Sequence, residues 1–212
     1  MITKSLVPFV KIEAPTIDLS VKVDRQGDFL ILRYVMTGAI ESILMAEPEV
    51  PVRRMRLWET TCLECFFGVP GQDLYWEINL STAGHWNVFR LDNYRSGFRE
   101  ELSIQALSIL IDRSVFSLVS RIFRALDLRF LKPLHRAVRF LSSEPPRIIH
   151  DTNVFSLETE LDLSLLGIQD SEIELSVTAV IADKWGAMSY WAVCHGGIEA
   201  DFHLRNSFVI RI

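Results

Sequence analysis

Hydrophobic and polar residues alternate with a period of two in Ile17-Asp-Leu-Ser-Val-Lys-Val23, and again over 29–36, where Leu30, Leu32, Tyr34 and Met36 take every second position. That period puts alternate side chains on one face of an extended strand. Alternation or short β-rich runs recur at 61–67, 74–80, 86–92, 154–161, 173–181, 189–195 and 207–212. Turn chemistry separates them: Arg25-Gln-Gly-Asp28, Val69-Pro-Gly-Gln72, Ser81-Thr-Ala-Gly84, and Gly167 followed by Ile168-Gln-Asp170. Many short strands punctuated in this way predict a mainly β, antiparallel protein, a sandwich or a barrel. No internal repeat, low-complexity tract or linker divides the 212 residues, so 1–212 reads as one domain.

One stretch breaks the period. Within 113–147, Val115, Leu118, Val119, Ile122, Phe123 and Leu126 follow helical spacing, and Ser114 is placed to cap the helix. Pro133 can begin a second helix carrying Leu134, Ala137, Val138 and Leu141. The sequence therefore predicts a short helical insertion between two strands. It is also where positive charge collects, with eight Arg or Lys residues against Asp127 and Glu144. A basic amphipathic helix suits an anionic membrane surface or a protein partner. The commoner use of such a stripe is to cover one open end of the sandwich, and that reading is preferred.

The remainder of the composition narrows the function classes. A net charge of −5 argues against a nucleic-acid-binding surface, and 49% apolar with 23% charged residues is ordinary for a packed domain. The longest run free of Asp, Glu, Lys and Arg, 185–198, has 14 residues, against about 20 for a membrane-spanning helix. The N-terminal residues lack the sustained apolar stretch of a secretory signal, and three cysteines, Cys62, Cys65 and Cys194, are too few for a disulfide framework. A cytoplasmic location is expected. Cys62 and Cys65 form a C-x-x-C, but residues three apart on a strand face opposite ways, so packed thiols are expected rather than a metal or redox pair.

The sharpest local feature lies in the hairpin on either side of Pro70-Gly71. If the loop is centred there, paired residue numbers sum to 141, which sets Leu63, Cys65 and Phe67 on a core face with Ile78, Trp76 and Leu74. On the other face Cys62 meets Asn79, Glu64 meets Glu77, and Phe66 meets Tyr75. Two carboxylates opposite one another repel unless a proton, a cation or a ligand compensates them. A neighbouring Arg or Lys would do so structurally, and a ligand would do so functionally. The face of Trp86 and Arg90 depends on the next turn. A four-residue turn at 81–84 places both beside Glu77; a three-residue loop with Gly84 left-handed places both on the core side. The cost of burying Arg90 favours the first. Further aromatic and polar groups stand at Trp58, Tyr94-Arg95, 189–195 and Asp201-Phe-His203. Together they have the chemistry of a sugar site: flat apolar faces for pyranose rings, with carboxylates, amides and Arg for the hydroxyls.

The string Leu57-Trp-Glu-Thr-Thr-Cys-Leu-Glu-Cys-Phe66, then Tyr75-Trp-Glu-Ile-Asn-Leu-Ser81, Trp86 and Tyr94-Arg95, resembles the DOMON-like superfamily, in the branch similar to type 9 carbohydrate-binding modules. Phe155-Ser-Leu-Glu-Thr-Glu160, Ser189-Tyr-Trp191, His195 and Asp201-Phe-His203 continue it in order. The resemblance implies a jelly-roll-like β-sandwich, common among bacterial proteins, that binds a sugar or a haem without catalysing a reaction. Sugar-binding relatives hold the ligand between tryptophans, for which Trp58, Trp86, Trp185 and Trp191 are the candidates; residues 113–147 depart from the pattern. The expected ligand-binding set is Trp58, Glu64, Tyr75, Glu77, Asn79, Trp86, Arg90, Arg95, Trp191, His195 and His203, with no catalytic residue, no metal and no resident cofactor. Three alternatives stand behind a carbohydrate-binding module. Haem could take His195 or His203 with a Met such as Met188 as axial ligands. A glycosidase could use Glu64 and Glu77 as its carboxylate pair. An interaction protein could dock through the basic insertion.

Overall fold

The computed structural model describes residues 1–11, 14–115 and 153–212. The alternating run at Ile17 becomes β2 (Ile17–Gln26), whose residues are buried and exposed in turn, and β3 (Phe29–Gly38) pairs with it antiparallel through a tight turn. These two lie in a layer ordered β1 (Ile2–Pro8), β2, β3, β9 (Asn153–Asp162), β8 (Ser108–Val115). The second layer runs β7 (Arg99–Glu100), β6 (Trp86–Leu91), β5 (Tyr75–Ser81), β4 (Cys62–Gly68), β10 (Glu174–Ala182), β11 (Met188–Ala192), with β12 (Ile210–Arg211) beside the start of β10. All the pairings between these strands are antiparallel, and the fold is a mainly β sandwich. β1 joins the layers: residues 2–6 pair with β2, and Val7 and Pro8 pair with β11.

The core lies between the layers. Leu19, Val21, Val23, Leu30, Leu32, Met36, Phe155 and Leu157 from one sheet meet Leu63, Cys65, Phe67, Trp76, Ile78, Leu80 and Val177 from the other. Tyr34 crosses this core, and its hydroxyl donates to the Glu64 carbonyl oxygen at 2.7 Å, so a buried phenol and a carbonyl are satisfied together. Burial pushes the Tyr34 phenol well above its ordinary range. Tyr34→Phe keeps the ring and removes the bond, and should lower the unfolding free energy by about 1–3 kcal/mol in urea titration.

β4 and β5 are buried at every position. One face of each belongs to the core just described; the other is covered by the segments that carry Leu57, Trp58, Phe202 and Phe208. Strands central to a sheet and covered on both sides give any polar group on the outer face a dry setting, and Glu64 and Glu77 occupy that face. Cys62 belongs to the outer cluster and Cys65 to the core, so the two thiols of the C-x-x-C do not converge.

Three expectations are corrected here. The β4–β5 register sums to 143 instead of 141: Glu64 pairs with Asn79 and Phe66 with Glu77. The turn Val69-Pro-Gly-Gln72 forms, with the Gln72 amide bonded to the Val69 carbonyl and Gly71 at φ 77°, but Asp73 and Leu74 also stay outside the ladder. Displacement by two leaves every side chain on its expected face. The second correction concerns the insertion. Arg113, Ser114 and Val115 continue β8 and pair with Phe155, Val154 and Asn153 of β9, so Ser114 stands in a strand rather than at a helix cap. The rest of the helical insertion, from 116 onward, lies outside the described residues. Third, β1, β7 and β8 had no sequence counterpart. β1 buries only Leu6 fully, too little to leave a period of two.

Candidate functional site

On the outer face of the second sheet the register sets a polar row beside a mixed polar and aromatic one. Across β10, β4, β5 and β6 the first reads Thr178, Glu64, Asn79, Asn87, and the second Ser176, Phe66, Glu77, Phe89. Glu64 and Glu77 are thus diagonal neighbours on one face, where side chains still interact. Both are buried, at 3% and 5% exposure, and both line a cavity of about 460 Å³. The sheet also supplies Phe66, Leu91, Val180 and Tyr190; loops supply Trp58, Arg95, Phe98, Ala200, Phe202 and His203.

The loops are tied to the sheet by one polar chain. Tyr75 of β5 reaches outward, its hydroxyl 2.9 Å from His203 Nδ1 and 3.3 Å from the Arg95 amide nitrogen. The Arg95 N–H donates to the phenol oxygen, and the phenol and His203 Nδ1 share a further hydrogen bond whose direction follows the imidazole tautomer. Burial, with the Arg95 charge adding to it, lowers His203 to about 4, which keeps the ring neutral near pH 7. Asp201 closes the chain, accepting from Tyr94 Oη at 2.5 Å, Arg95 Nη2 at 2.9 Å and the His203 amide at 3.0 Å. The aromatic side is Trp58, edge-on to Phe89 at 5.8 Å and Phe98 at 6.3 Å, with Phe89 and Phe98 stacked at 4.4 Å. Among the described residues the two non-glycine positions with positive φ, Arg56 and Arg95, lie beside this site, one leading into the 3-10 turn Leu57–Glu59 that carries Trp58. Such backbone costs of order 1 kcal/mol or more and is held where surrounding contacts over-determine it.

The carboxylates are short of partners. Glu64 Oε2 accepts from Thr178 Oγ1 at 3.3 Å and Glu77 Oε1 from Asn79 Nδ2 at 2.7 Å, while Glu77 Oε2 and Asn79 Oδ1 have none. Burial pushes Glu77 up to about 7, against smaller opposing effects of Asn79 and Arg95; burial and the Glu77 charge raise Glu64 well above the ordinary carboxylate range.

Of the expected ligand-binding residues, the structure brings together Trp58, Glu64, Glu77, Arg95 and His203 on the cavity, with Tyr75 and Asn79 bonded to them. Trp86 and Trp191 are elsewhere: they are 3% and 4% exposed in the main core. The turn decides Trp86. Ser81 and His85 close a loop of three residues with Gly84 at φ 96°, so Trp86 pairs with Leu80 and Arg90 with Trp76 on the core-facing side. The Arg90 cost is reduced because the side chain is 39% exposed and its Nε, though buried, lies 3.7 Å from Asp92. His195 is also away from the cavity, bonded to the Val7 carbonyl at 2.9 Å, and Trp185 is 80% exposed in the β10–β11 turn. Met188 borders a neighbouring groove of about 290 Å³ that shares Tyr190 and Ala200 with the cavity. Phe98, Phe202 and Tyr190 were not singled out individually; the Asp201-Phe-His203 and Ser189-Tyr-Trp191 strings were the available signal for the last two.

No family model matches the chain, and no curated protein matches it. Among solved structures, a putative carbohydrate-binding protein from Bacteroides uniformis has a similar fold, with a TM-score of 0.58 at 13% identity over 98% of this chain and 84% of that one. At that identity the likeness speaks for the fold alone. A family 9 carbohydrate-binding module from Caldicellulosiruptor kristjanssonii, solved with glucose, aligns with 84% of this chain and 68% of that one at 8% identity and a TM-score of 0.38, too low to support an argument.

Proposed function

We propose that the chain is a non-catalytic carbohydrate-binding module whose site is the cavity over β4 and β5. The observation that carries this reading is an aromatic-lined cavity whose floor holds two buried carboxylates and, behind them, an amide with acceptor atoms unused. Trp58 and Phe98 offer apolar faces against a pyranose ring, and Glu64, Glu77, His203 and Arg95 offer the acceptors and donors that sugar hydroxyls require. The carbohydrate role in the name of the Bacteroides protein agrees with it.

Calorimetric titration with a panel of mono- and disaccharides tests the proposal. Saturable binding is expected, with Trp58→Ala weakening it at least tenfold and Trp185→Ala, whose indole is outside the cavity, leaving it unchanged. No binding across the panel would overturn the reading, and release of new reducing ends from the disaccharides would replace it with the glycosidase alternative.

A further inference from the structure

The cavity floor is rich in acceptors and poor in donors. Glu77 is nine-tenths buried yet lines the cavity, and its Oε2 has no partner; Asn79 Oδ1 behind it has none either. No Arg or Lys pairs with Glu64 or Glu77 among the described residues, because the guanidinium that lines the cavity, that of Arg95, is bound to Asp201. Two carboxylates in so dry a setting are held neutral by protons or offset by a cation. Trp58, Phe66, Phe98, Tyr190 and Phe202 surround them, and aromatic ring faces attract a cation. A divalent metal is poorly served, since Ca²⁺ takes six to eight oxygen ligands and no group of three His, Cys, Asp or Glu converges among the described residues. A primary ammonium is well served: it carries three N–H donors, and the carboxylate oxygens of Glu64 and Glu77, both of which line the cavity, accept them.

We infer that the site takes a ligand bearing a primary ammonium and, resting on the carbohydrate reading, that this ligand is an amino sugar with its amine free. N-acetylation would remove the charge and set a methyl group against the polar floor, and a neutral hexose would leave the pair uncompensated. Cation entry also expels protons from the pair. The titratable and charged groups around it are Cys62 and Tyr75 on the same sheet face, Tyr34 from the opposite layer, Arg95 from the loop after β6, and His203 from the segment before β12, with Asp201 beyond Arg95 and His203.

Calorimetry at pH 7 with D-glucosamine, D-glucose, N-acetyl-D-glucosamine and cyclohexylamine, in two buffers of different ionisation enthalpy, separates the possibilities. Glucosamine is expected to bind at least tenfold tighter than glucose or N-acetylglucosamine and to release protons on binding. Glu77→Gln, nearly isosteric, should diminish both the preference and the proton release. Equal affinity for glucose and glucosamine overturns the inference and leaves the carbohydrate reading standing. Binding of cyclohexylamine without any sugar supports the ammonium site and overturns the carbohydrate reading. Silence from all four probes overturns both.

Discussion

Glu77→Gln is expected to stabilise the protein above pH 7 while weakening its site. The sign follows from burial. Glu77 is raised from 4.5 to about 7, so between those values the native state holds a proton that the unfolded chain has released. Its contribution is complete below about 4.5 and is lost as pH rises through 7. A shift of that size corresponds to a loss on the order of 3 kcal/mol, and Gln escapes it. Glu64, raised by burial and by Glu77, extends the decline toward higher pH. His203 acts in the opposite sense. Lowered from 6.5 to about 4, it excludes a proton that the unfolded chain takes up, so its contribution grows as pH rises from about 4 to 6.5. Over that range the two effects oppose each other in the parent protein, and the variant should reveal the rising limb. Urea unfolding at pH 4.5, 6 and 8 checks this: near-equal stability is expected at the lowest pH, with a gain of roughly 2–3 kcal/mol at the highest. Equal or lower stability of Glu77→Gln at pH 8 would mean that the carboxylate is already compensated in the native state.

Phe66→Ala should have the largest cost of any single change at the site. Phe66 is almost fully buried on the outer face of β4, 5.0 Å from the His203 ring and 6.3 and 6.5 Å from those of Phe202 and Phe208. It is a central contact by which the segment 202–208 rests on the sheet, beside those of Tyr75 and Tyr190, and a Phe→Ala change in such a place costs about 3–5 kcal/mol. The cavity wall formed by Phe202 and His203 would loosen with it, so ligand binding should fall along with the melting temperature. Phe66→Leu, which retains most of the volume, should lose less than half as much by thermal unfolding. A melting temperature unchanged in Phe66→Ala would show that the other contacts of the segment, among them Tyr75–Phe208, Tyr190–Phe202 and the Arg205–Glu174 ion pair, hold it without Phe66.

Several parts of this molecule were legible before any coordinates. The alternation at Ile17-Asp-Leu-Ser-Val-Lys-Val23 placed β2 and its buried face, because a period of two has one geometric meaning in a chain that pairs edge to edge. Pro70-Gly71 marked a true turn, since Gly71 takes a positive φ there. The shared face of Glu64 and Glu77 was legible too, and it survived the change of pairing sum from 141 to 143 because a shift by two preserves parity. Of the two turns open at 81–84, Gly84 favours the shorter, which forms; the cost of burying Arg90 points the other way but is small, because the side chain stays 39% exposed.

The composition of the site was decided elsewhere. Trp86 and Trp191 have the same chemistry as Trp58, and only the register of β6 and β11 puts them in the core while a 3-10 turn brings Trp58 over Phe89 and Phe98. Phe98 and Arg95 come from the loop after β6, and Phe202 and His203 from more than a hundred residues later. Their meeting over β5 depends on β4 and β5 lying at the centre of a layer assembled from distant strands. Local pattern specifies the face on which a side chain stands, because that follows from backbone geometry two residues at a time. Which distant loops cover that face, and so whether burial raises two carboxylates far above their ordinary range, is set by long-range packing that no local period encodes.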